Sequence, residues 1–387
     1  MEEIINLLFK AANLRRWNDH IIPFELVELD KQAHKIMIAF IIAKIQEESE
    51  KVNWVKLIEK FLYDLFYRLE LTDLKPQIFH EMVREKKEDL DSFVLHNVGS
   101  ILCNFNEGFF ENFKKYLEME EESLEDKIIG SAHYLATKWE FNSIYHSNSF
   151  IYGIDKTKSS IEERIEKHYE LEGVKQLLLN KKIYGFIDLC GQLRFQKRWA
   201  GVPRVPETSV LGHMLMVAAI SYFLTINNIE NPSDKRIYNN FFAGLFHDLP
   251  EVLTKDIISP IKRSVDGLED LIGKYEDQMM EKEIKPLIPK WFNELSYFTQ
   301  DEFSNKIHKN GEVIKNIPFE NMSKYNEDKY SPLDGEIIDF ADKLSALREA
   351  TTSVEHGLKS DELIGAIETI KEELLAKNNF DVDIEKI

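Results

Sequence analysis

An adjacent histidine and aspartate, His247 and Asp248, end an apolar stretch of the sequence just before Pro250. Neighbouring ionisable side chains are costly to bury unless they are paired or bound to a cation. Two further apolar stretches, LGHMLMVAA and IIDFADKLSAL, carry His213 and Asp342. Two imidazoles and two carboxylates suit Mn, Fe, Co, Zn or Mg, and on an octahedral ion they leave positions for water and a substrate oxygen. A candidate site for a divalent metal ion therefore combines His213, His247, Asp248 and Asp342.

Helical periodicity characterises the segments that would position these residues. Apolar side chains recur at helical spacing from Ile4 to Ala11, from Val55 to Leu65 and from Leu211 to Phe223. The chain has only 16 Gly and 11 Pro in 387 residues, and it shows no sustained run of alternating strands joined by hairpin turns. We therefore expect an all-α protein.

The overall charge excludes one class of partner. Asp and Glu total 68 against 49 Lys and Arg, a formal net charge of -19, so the chain has no basic surface for a long nucleic acid. Cys103 and Cys190 are far apart, which fits a reducing compartment. The first residues lack the basic region of a signal peptide, and the apolar run from Ile36 to Ala43 is too short to span a bilayer. We expect a cytoplasmic protein with no membrane or nucleic-acid partner.

Four sequence blocks recur in the same order in the two halves of the chain, which indicates an internal repeat. We predict a tandem duplication with domains 1–175 and 176–387, joined by an exposed, highly charged helix over Ile161 to Glu172. The stretch from Glu283 to Gln300 has no counterpart in the first half and is compatible with either a lid or a core segment. The blocks are RRW at 15–17, a helix with His34, FLYDLFYRLELTDLKP at 61–76 and IIGSAHYLATKWE at 128–140, against KRW at 197–199, a helix with His213, LFHDLPEVLTKDIISP at 245–260 and IIDFADKLSALRE at 337–349.

The segment HDLPEVLTKDIISPIK carries a family resemblance. Together with His213 and Asp342, it resembles the H…HD…D pattern of the HD-domain phosphohydrolase superfamily. Within that superfamily it is similar to the HDxxEVLTxDxxxPxK pattern of the HD-type 5′-deoxyribonucleotidases, and the resemblance extends over residues 180–350. It implies that the metal ligands are His213, His247, Asp248 and Asp342, with Asp339 as a less favoured fourth ligand.

Further site residues take their roles from the same resemblance. Glu251 corresponds to an acid that transfers a proton near the leaving oxygen, and Asp248 would also orient the attacking water. Asp256 corresponds to an acid near the sugar hydroxyls. Arg198 and Trp199 correspond to a pair that faces the phosphate and shapes the sugar pocket. The resemblance therefore implies one pocket that holds a metal ion, a phosphate and a sugar.

Each of these residues also has a purely structural interpretation. A histidine on an apolar helix, such as His213, is commonly a hydrogen-bonded core residue. Glu251 suits the first turn of a helix, and Asp256 suits a helix N-cap. Arg198 and Trp199 are compatible with a solvated charge and a core indole. The metal and substrate roles therefore depend on whether these residues converge in space.

The corresponding residues of the first half predict a catalytically silent domain. A neutral tyrosine is a poor metal ligand, although His34, Asp64 and His133 together would form a triad of ligand types. The retained Arg16 and Trp17 leave open the binding of a phosphorylated ligand, and a packing surface or a homodimer interface is also open. By alignment, His34 matches His213 and Asp64 matches Asp248, whereas Tyr63 replaces His247, Tyr67 replaces Glu251 and His133 replaces Asp342.

The expected activity is metal-dependent hydrolysis of a nucleotide phosphate monoester, with 5′-(deoxy)ribonucleoside monophosphates as substrates. Two alternatives stay open: a hydrolase of nucleoside polyphosphates, either dNTPs or alarmones, and a nucleotide-binding regulator with incidental turnover. Val252 after Glu251 departs from the HDxxED pattern of the alarmone hydrolases. The intact Glu251 favours an enzyme over a regulator.

Overall fold

A computed structural model of the protein describes residues 1–72, 76–119, 121–255, 267–377 and 379–387. Within these residues the chain is almost entirely helical, with one short antiparallel pair of strands. The all-α class predicted from the sequence is confirmed. The chain divides into two compact units, Met1–Leu171 and Glu172–Ile387, where the sequence predicts a boundary near residue 175.

The first unit is built around the buried helix α2, which packs against α6. Helix α3 begins at Asn53, whose side chain accepts a hydrogen bond from the Lys56 backbone N–H at 3.0 Å, and α6 begins with a capping box between Ser123 and Asp126. Helix α4 is kinked at Lys86. The helices are α1 Glu2–Phe9, α2 Glu28–Gln46, α3 Trp54–Leu71, α4 Pro76–Phe105, α5 Glu107–Glu118, α6 Leu124–Ser147 and α7 Ile154–Glu166.

The second unit has α10, α11 and α15 at its centre, packed against one another. The helices and strands of this unit are, in chain order, α8 Glu172–Leu178, α9 Lys182–Gln192, α10 Val210–Asn228, α11 Asp234–Phe246, α12 Glu251–Thr254, α13 Leu268–Met279, α14 Phe292–Thr299, β1 Ile307–Lys309, β2 Glu312–Ile314, α15 Gly335–Glu355 and α16 Asp361–Ala376.

Helix α10 is the most apolar element of the second unit. Ser209 caps its N-terminus by accepting a hydrogen bond from the Gly212 backbone N–H at 2.9 Å, and every residue from Val210 to Thr225 is buried. Among the described residues it alone has the length and composition to cross a membrane, with a mean hydropathy of 1.6. However, 89% of that window is buried inside the protein, so the helix is placed as a core element.

Two contacts hold α10, α11 and α15 in close register. At Gly244 in α11, an added Cβ atom would lie 2.9 Å from the Ala218 Cα atom in α10, so the two helix backbones nearly touch. Arg236 in α11 makes a bidentate ion pair with Asp334, which precedes α15, at 2.7 and 2.6 Å. Both partners are buried. The three helices that carry the predicted metal ligands are therefore fixed relative to one another.

The charged stretch over 161–172 is not one exposed helix, contrary to the sequence prediction. Helix α7 ends at Glu166 and α8 begins at Glu172, with turns between them. Ile161 and Ile165 are buried in the first unit. The charges on the outer side of α7 suggested full exposure, but two isoleucines four residues apart are enough to anchor a helix on one face.

The stretch from Glu283 to Gln300 is a core segment rather than a lid. Helix α14 lies within it and packs against α11. The Phe298 ring lies parallel to the Phe246 ring, with centroids 6.4 Å apart and an interplanar angle of 4°, and Phe292 and Leu295 are buried. This packing supports the C-terminal end of α11, immediately before His247.

Gly244→Ala is expected to destabilise the protein. The methyl group meets backbone atoms of Ala218 that only a shift of a whole helix can move, so an overpacking cost of about 1–3 kcal/mol outweighs the better helix propensity of alanine. Denaturant unfolding measures the change. The control is Gly365→Ala in α16, where an added Cβ has no neighbour within 4 Å and up to about 1 kcal/mol of stabilisation is expected. Equal stability of Gly244→Ala and the unmodified protein would contradict the close approach.

Candidate active site

The second unit brings the four predicted metal ligands together. His213 lies in the first turn of α10, His247 and Asp248 follow α11, and Asp342 lies near the middle of α15. One donor atom each from His213, His247 and Asp342 lies within 4.8 Å of the others. Asp248 Oδ2 lies 3.2 Å from His247 Nε2 and 3.9 Å from His213 Nε2. Three of the four ligand-type side chains therefore form a compact group, and the Asp248 carboxylate lies beside it.

The hydrogen bonds behind the two imidazoles leave their Nε2 atoms directed towards the carboxylates. His247 Nδ1 lies 2.8 Å from the Gly244 carbonyl oxygen and can donate only as Nδ1–H, while His213 Nδ1 lies 3.0 Å from the Ser345 hydroxyl. An imidazole held in this way offers Nε2 as a ligand atom. His247 Nε2 is buried and makes no hydrogen bond within the described residues. The donor set and this orphaned nitrogen fit a divalent metal ion.

The electrostatics of the site favour a positive charge among the carboxylates. Burial lowers the pKa of His247, but the charges of Asp248 and Asp342 and the bond to Gly244 outweigh it and raise the pKa to about 9. Burial raises the pKa values of Asp248 and Asp342, but both lie below the usual range. The main reason is the neighbouring His247 for Asp248 and the hydrogen bond with His213 for Asp342. His213 Nε2 and Asp342 Oδ1 are 2.7 Å apart, a distance that requires a proton or another cation near them. The histidines and carboxylates therefore form a centre that stabilises a bound cation.

Asp339, the alternative ligand on α15, lies in a separate ion-pair cluster. Its carboxylate pairs with Lys343 and, at 3.2 Å, with Lys377. Neither lysine belongs to the group around His213 and His247. The choice of Asp342 over Asp339 is therefore consistent with the geometry.

Arg198 and Trp199 lie beside this centre and share one partner, Glu349. Arg198 Nε donates to Glu349 Oε2 at 3.2 Å, and the Trp199 indole N–H donates to the same oxygen at 2.7 Å. Arg198 Nη1 lies 3.7 Å from Asp248 Oδ2. Trp199 has a φ of 61°, a strained conformation for a bulky residue. The structure thus places a guanidinium group at the edge of the metal-ligand cluster and holds it there through Glu349.

Glu349 is the functional residue that sequence reasoning missed. Its side chain is 1% exposed and also accepts a hydrogen bond from Thr208 at 2.8 Å, and its Oε1 atom lies 3.8 Å from His213 Nδ1. Burial raises its pKa, but the charges of Arg198 and Arg204 dominate and lower the pKa to about 2. One sequence signal was present: the aligned blocks at 128–140 and 337–349 both end in glutamate.

Of the other two predicted site residues, the structure describes Glu251 but not Asp256. Glu251 is the first residue of α12, is 6% exposed, and its carbonyl oxygen accepts a hydrogen bond from Gln196 at 2.8 Å. Asp256 lies outside the described residues. Glu302 was not predicted, and its pKa is raised by burial first and by the charge of Asp248. Since no motif surrounds Glu302, its nearness to the cluster follows only from tertiary structure.

The first unit contains a similar arginine–tryptophan–glutamate arrangement. Arg16 Nε lies 3.0 Å from Glu140 Oε2, and the Trp17 indole N–H donates to the same oxygen at 2.9 Å. Trp17 has a φ of 56°. Glu28 adds a second buried carboxylate, 2.6 Å from Arg16 Nη1. A guanidinium, an indole and a buried carboxylate are thus combined in both units.

Short antiparallel bridges set the register of α2 and α10. Arg15 bridges to Val27 directly before α2, and Lys197 bridges to Ser209 directly before α10. Lys31 is the fourth residue after Val27, and His213 is the fourth residue after Ser209, so the bridges make Lys31 the counterpart of His213. The alignment of His34 with His213 from sequence is therefore displaced by one helical turn.

The side chains of the first unit follow this corrected register. Lys31 Nζ lies 2.6 Å from His133 Nδ1, and Lys35 makes an ion pair with Asp64. His34 is fully buried and packs edge-on against Trp139, with ring centroids 5.2 Å apart. The triad of His34, Asp64 and His133 considered from the sequence is therefore interrupted by two lysines.

Comparison with known proteins gives a family-model match to part of the chain. Residues 190–371 match a family model described as an HD domain, and no curated protein matches the chain. The matched range lies within the second unit and includes His213, His247, Asp248 and Asp342. The match supports the HD-domain superfamily for this part of the chain, and members of that superfamily are in general metal-dependent phosphohydrolases.

His247→Ala should remove metal from the protein. The variant loses a ligand whose orientation is already set by the Gly244 carbonyl, and even the loss of supporting contacts typically costs 10- to 100-fold in metal affinity. Elemental analysis after loading with Mn, Co or Mg measures the content, with the exposed His356→Ala as the matched control. We expect about one equivalent in the unmodified protein and the control. One equivalent retained in His247→Ala, or two in the unmodified protein, would show that the first unit binds metal.

Glu349→Gln should strongly destabilise the second unit. Removing this charge leaves Arg204 buried without its counter-charge and Arg198 with only Asp248 at 3.7 Å, and breaking a buried ion pair typically costs about 3–5 kcal/mol. The control on the same helix is Glu355→Gln, since Glu355 is a 56% exposed partner of Arg348 and its loss should cost under about 1 kcal/mol. Denaturant unfolding compares the three proteins.

The destabilisation by Glu349→Gln should depend on pH. The folded pKa of Glu349 is about 2, lowered from an ordinary 4.5. Its contribution is therefore complete above pH 4.5 and is lost as the pH falls towards 2. The stability difference between Glu349→Gln and the unmodified protein should shrink over this window, and a constant difference would contradict an ionised Glu349.

Proposed function

We propose that the second unit is a metal-dependent phosphohydrolase that acts on 5′-nucleoside monophosphates, with deoxyribonucleotides preferred. The observation that carries the proposal is the convergence of two histidines and two aspartates beside a fixed guanidinium, with Arg198 Nη1 3.7 Å from Asp248 Oδ2. The cluster would hold a cation, and the arginine would bind an anion next to it. A phosphate monoester is the ligand class that uses both features.

The protein's own residues divide the work as follows. A divalent ion bound by His213, His247, Asp248 and Asp342 would polarise the phosphoryl oxygen and lower the pKa of a water molecule. Arg198, held by Glu349, would bind phosphate oxygens and offset their charge as the bond to the leaving group breaks. Because the chain carries a net charge of -19, attraction of the substrate must come from this local cationic cluster.

Glu251 is proposed as the proton donor to the leaving oxygen. It follows Asp248 by three residues and is 6% exposed at the start of α12. Gln196 holds the backbone of this turn, and Gln196 lies two residues before Arg198. The same short segment therefore supports both the phosphate-binding arginine and the acid. Asp248 would orient the water on the opposite side of the phosphorus, and Asp256 is retained as the sugar-contacting acid from the resemblance alone.

A tandem duplication with a catalytically silent first unit is part of the proposal. Its support is the arginine–tryptophan–glutamate arrangement present in each unit, with a positive φ at both tryptophans, and the matching bridges before α2 and α10. In the first unit, Tyr63 is buried at the position aligned with His247, and Lys31 stands at the position of His213. These replacements remove two metal ligands of the proposed set.

Phosphate release from nucleotides tests the proposal. The metal-loaded protein should hydrolyse 5′-deoxyribonucleoside monophosphates faster than ribonucleotides, and both much faster than triphosphates. A rigid indole and an acidic hydroxyl acceptor at the sugar should discriminate the 2′ position, because an unpaired buried polar group costs free energy. Equal rates on dAMP and AMP, or a preference for triphosphates, would contradict the substrate assignment.

Variants at the arginine and the tryptophan separate phosphate from sugar recognition. Arg198→Ala should lower turnover on every substrate, because the phosphate is common to all. Trp199→Ala should mainly narrow the ratio of deoxy to ribo rates, and Trp199→Phe is its matched control, since it keeps an aromatic wall but loses the hydrogen bond to Glu349. Glu251→Gln should retain metal and lose turnover. A Glu251→Gln variant with full activity would favour a binding regulator over an enzyme.

A further inference from the structure

We propose that the first unit binds the phosphate group of a small molecule at Lys31 and Lys35, without a metal ion. The two lysines lie one turn apart on α2, and the side chains of both are fully buried. Such burial is rare for lysine and requires anionic partners. The inference concerns the first unit alone and stands whether or not the second unit hydrolyses nucleotides.

One of the two ammonium groups stands at a ligand position of the corresponding site in the second unit, and the other pairs with the counterpart of a ligand. Lys31 stands at the position of His213 and contacts His133, which aligns with Asp342. Lys35 pairs with Asp64, which aligns with Asp248. The lysine side chains therefore carry the positive charge that a bound metal ion would provide in the second unit.

The surrounding charges repel a metal cation from this place. The pKa of Lys31 lies well below its ordinary value, first because of burial and then because of the charges of Arg16, Lys35 and Arg68, against one raising charge from Glu28. Burial and the same basic groups lower the pKa of His133 as well. Burial disfavours a charge of either sign, but the basic groups among these causes repel a divalent cation and attract an anion.

The charge balance predicts a proton uptake when an anion binds. Four basic side chains face three carboxylates, so the cluster has one basic group in excess before ligand arrives. Burial and the neighbouring cations lower the pKa of Lys31, and a phosphate dianion beside it favours the protonated amine, so binding should be accompanied by proton uptake. The groups in the balance are Lys31, Lys35 and Glu28 on α2, Asp64 and Arg68 on α3, Glu140 and His133 on α6, and Arg16 before α2.

Asp64 controls access to the lysines. Its side chain is 40% exposed while that of Lys35 is fully buried, and Arg68 is 17% exposed on the same helix. A phosphate entering from this side must displace the Asp64 carboxylate from Lys35. The unit therefore competes with its own carboxylate for the ligand, and removal of the Asp64 charge should strengthen phosphate binding.

Calorimetric titration of the full-length His247→Ala protein with EDTA present tests the proposal without a contribution from metal or turnover. The probes are inorganic phosphate, AMP and adenosine, each titrated at pH 8 in Tris and in HEPES. We expect binding of the two phosphates but not of adenosine, and the difference between the two buffers should report proton uptake. Tighter binding of AMP than of inorganic phosphate would identify a nucleotide as the ligand, and equal binding would identify phosphate itself.

Three substitutions in the same background assign the site. Lys31→Met should weaken phosphate binding on the order of tenfold or more, whereas Lys44→Met, on the same helix with the same change of charge, should leave it unchanged. Asp64→Asn alters an exposed carboxylate and should tighten binding severalfold. Absence of phosphate binding in both the parent and Asp64→Asn, equal binding by Lys31→Met, or weaker binding by Asp64→Asn would overturn the proposal. Phosphate binding that appears only when EDTA is replaced by a divalent metal, and that Asp64→Asn abolishes, would also overturn the proposal and establish a metal site.

Discussion

The buried carboxylate of Glu349 must be neutralised inside the second unit, and the site is arranged around that requirement. Arg198, Trp199 and Thr208 donate hydrogen bonds to it, so the segment before α10 is fastened to α15. Asp342 lies two turns earlier on α15. One helix therefore supplies both a ligand of the candidate metal centre and the anchor for Arg198, and a movement of either would displace the other.

The sequence was informative where local chemistry decides the structure. Apolar periodicity is a property of each segment by itself, so it predicted the all-α class. The sequence also grouped four ionisable residues in apolar segments, His213, His247, Asp248 and Asp342. Such residues are costly to bury unless they pair with one another or with a cation. Glu349 could not be singled out, since a glutamate on an amphipathic helix is usually solvated. Only its tertiary contacts distinguish it from Glu355, six residues later.

The pairing of residues between the two units depends on the register chosen for their helices. His34 and His213 lie in helices whose apolar residues repeat every turn, so a shift of one turn still aligns apolar with apolar residues. The bridges that precede the two helices remove this ambiguity. The corrected register changes the chemistry, because it replaces a histidine by Lys31. Two units with similar hydrogen-bonded frameworks thus neutralise a buried carboxylate cluster differently, one with ammonium groups and one with a centre suited to a metal ion.

The uncharged helix α10 has a consequence for biosynthesis. Its burial depends on α11 and on α15, and α15 lies more than a hundred residues further along the chain. A ribosome adds about 5–20 residues per second, so a span as apolar as a membrane helix stays incompletely covered for several seconds after it leaves the exit tunnel. During that interval the nascent chain offers a binding segment for chaperones or for the membrane-targeting machinery. Of these two partners, α11 is synthesised first, and it packs against Ala218 through Gly244.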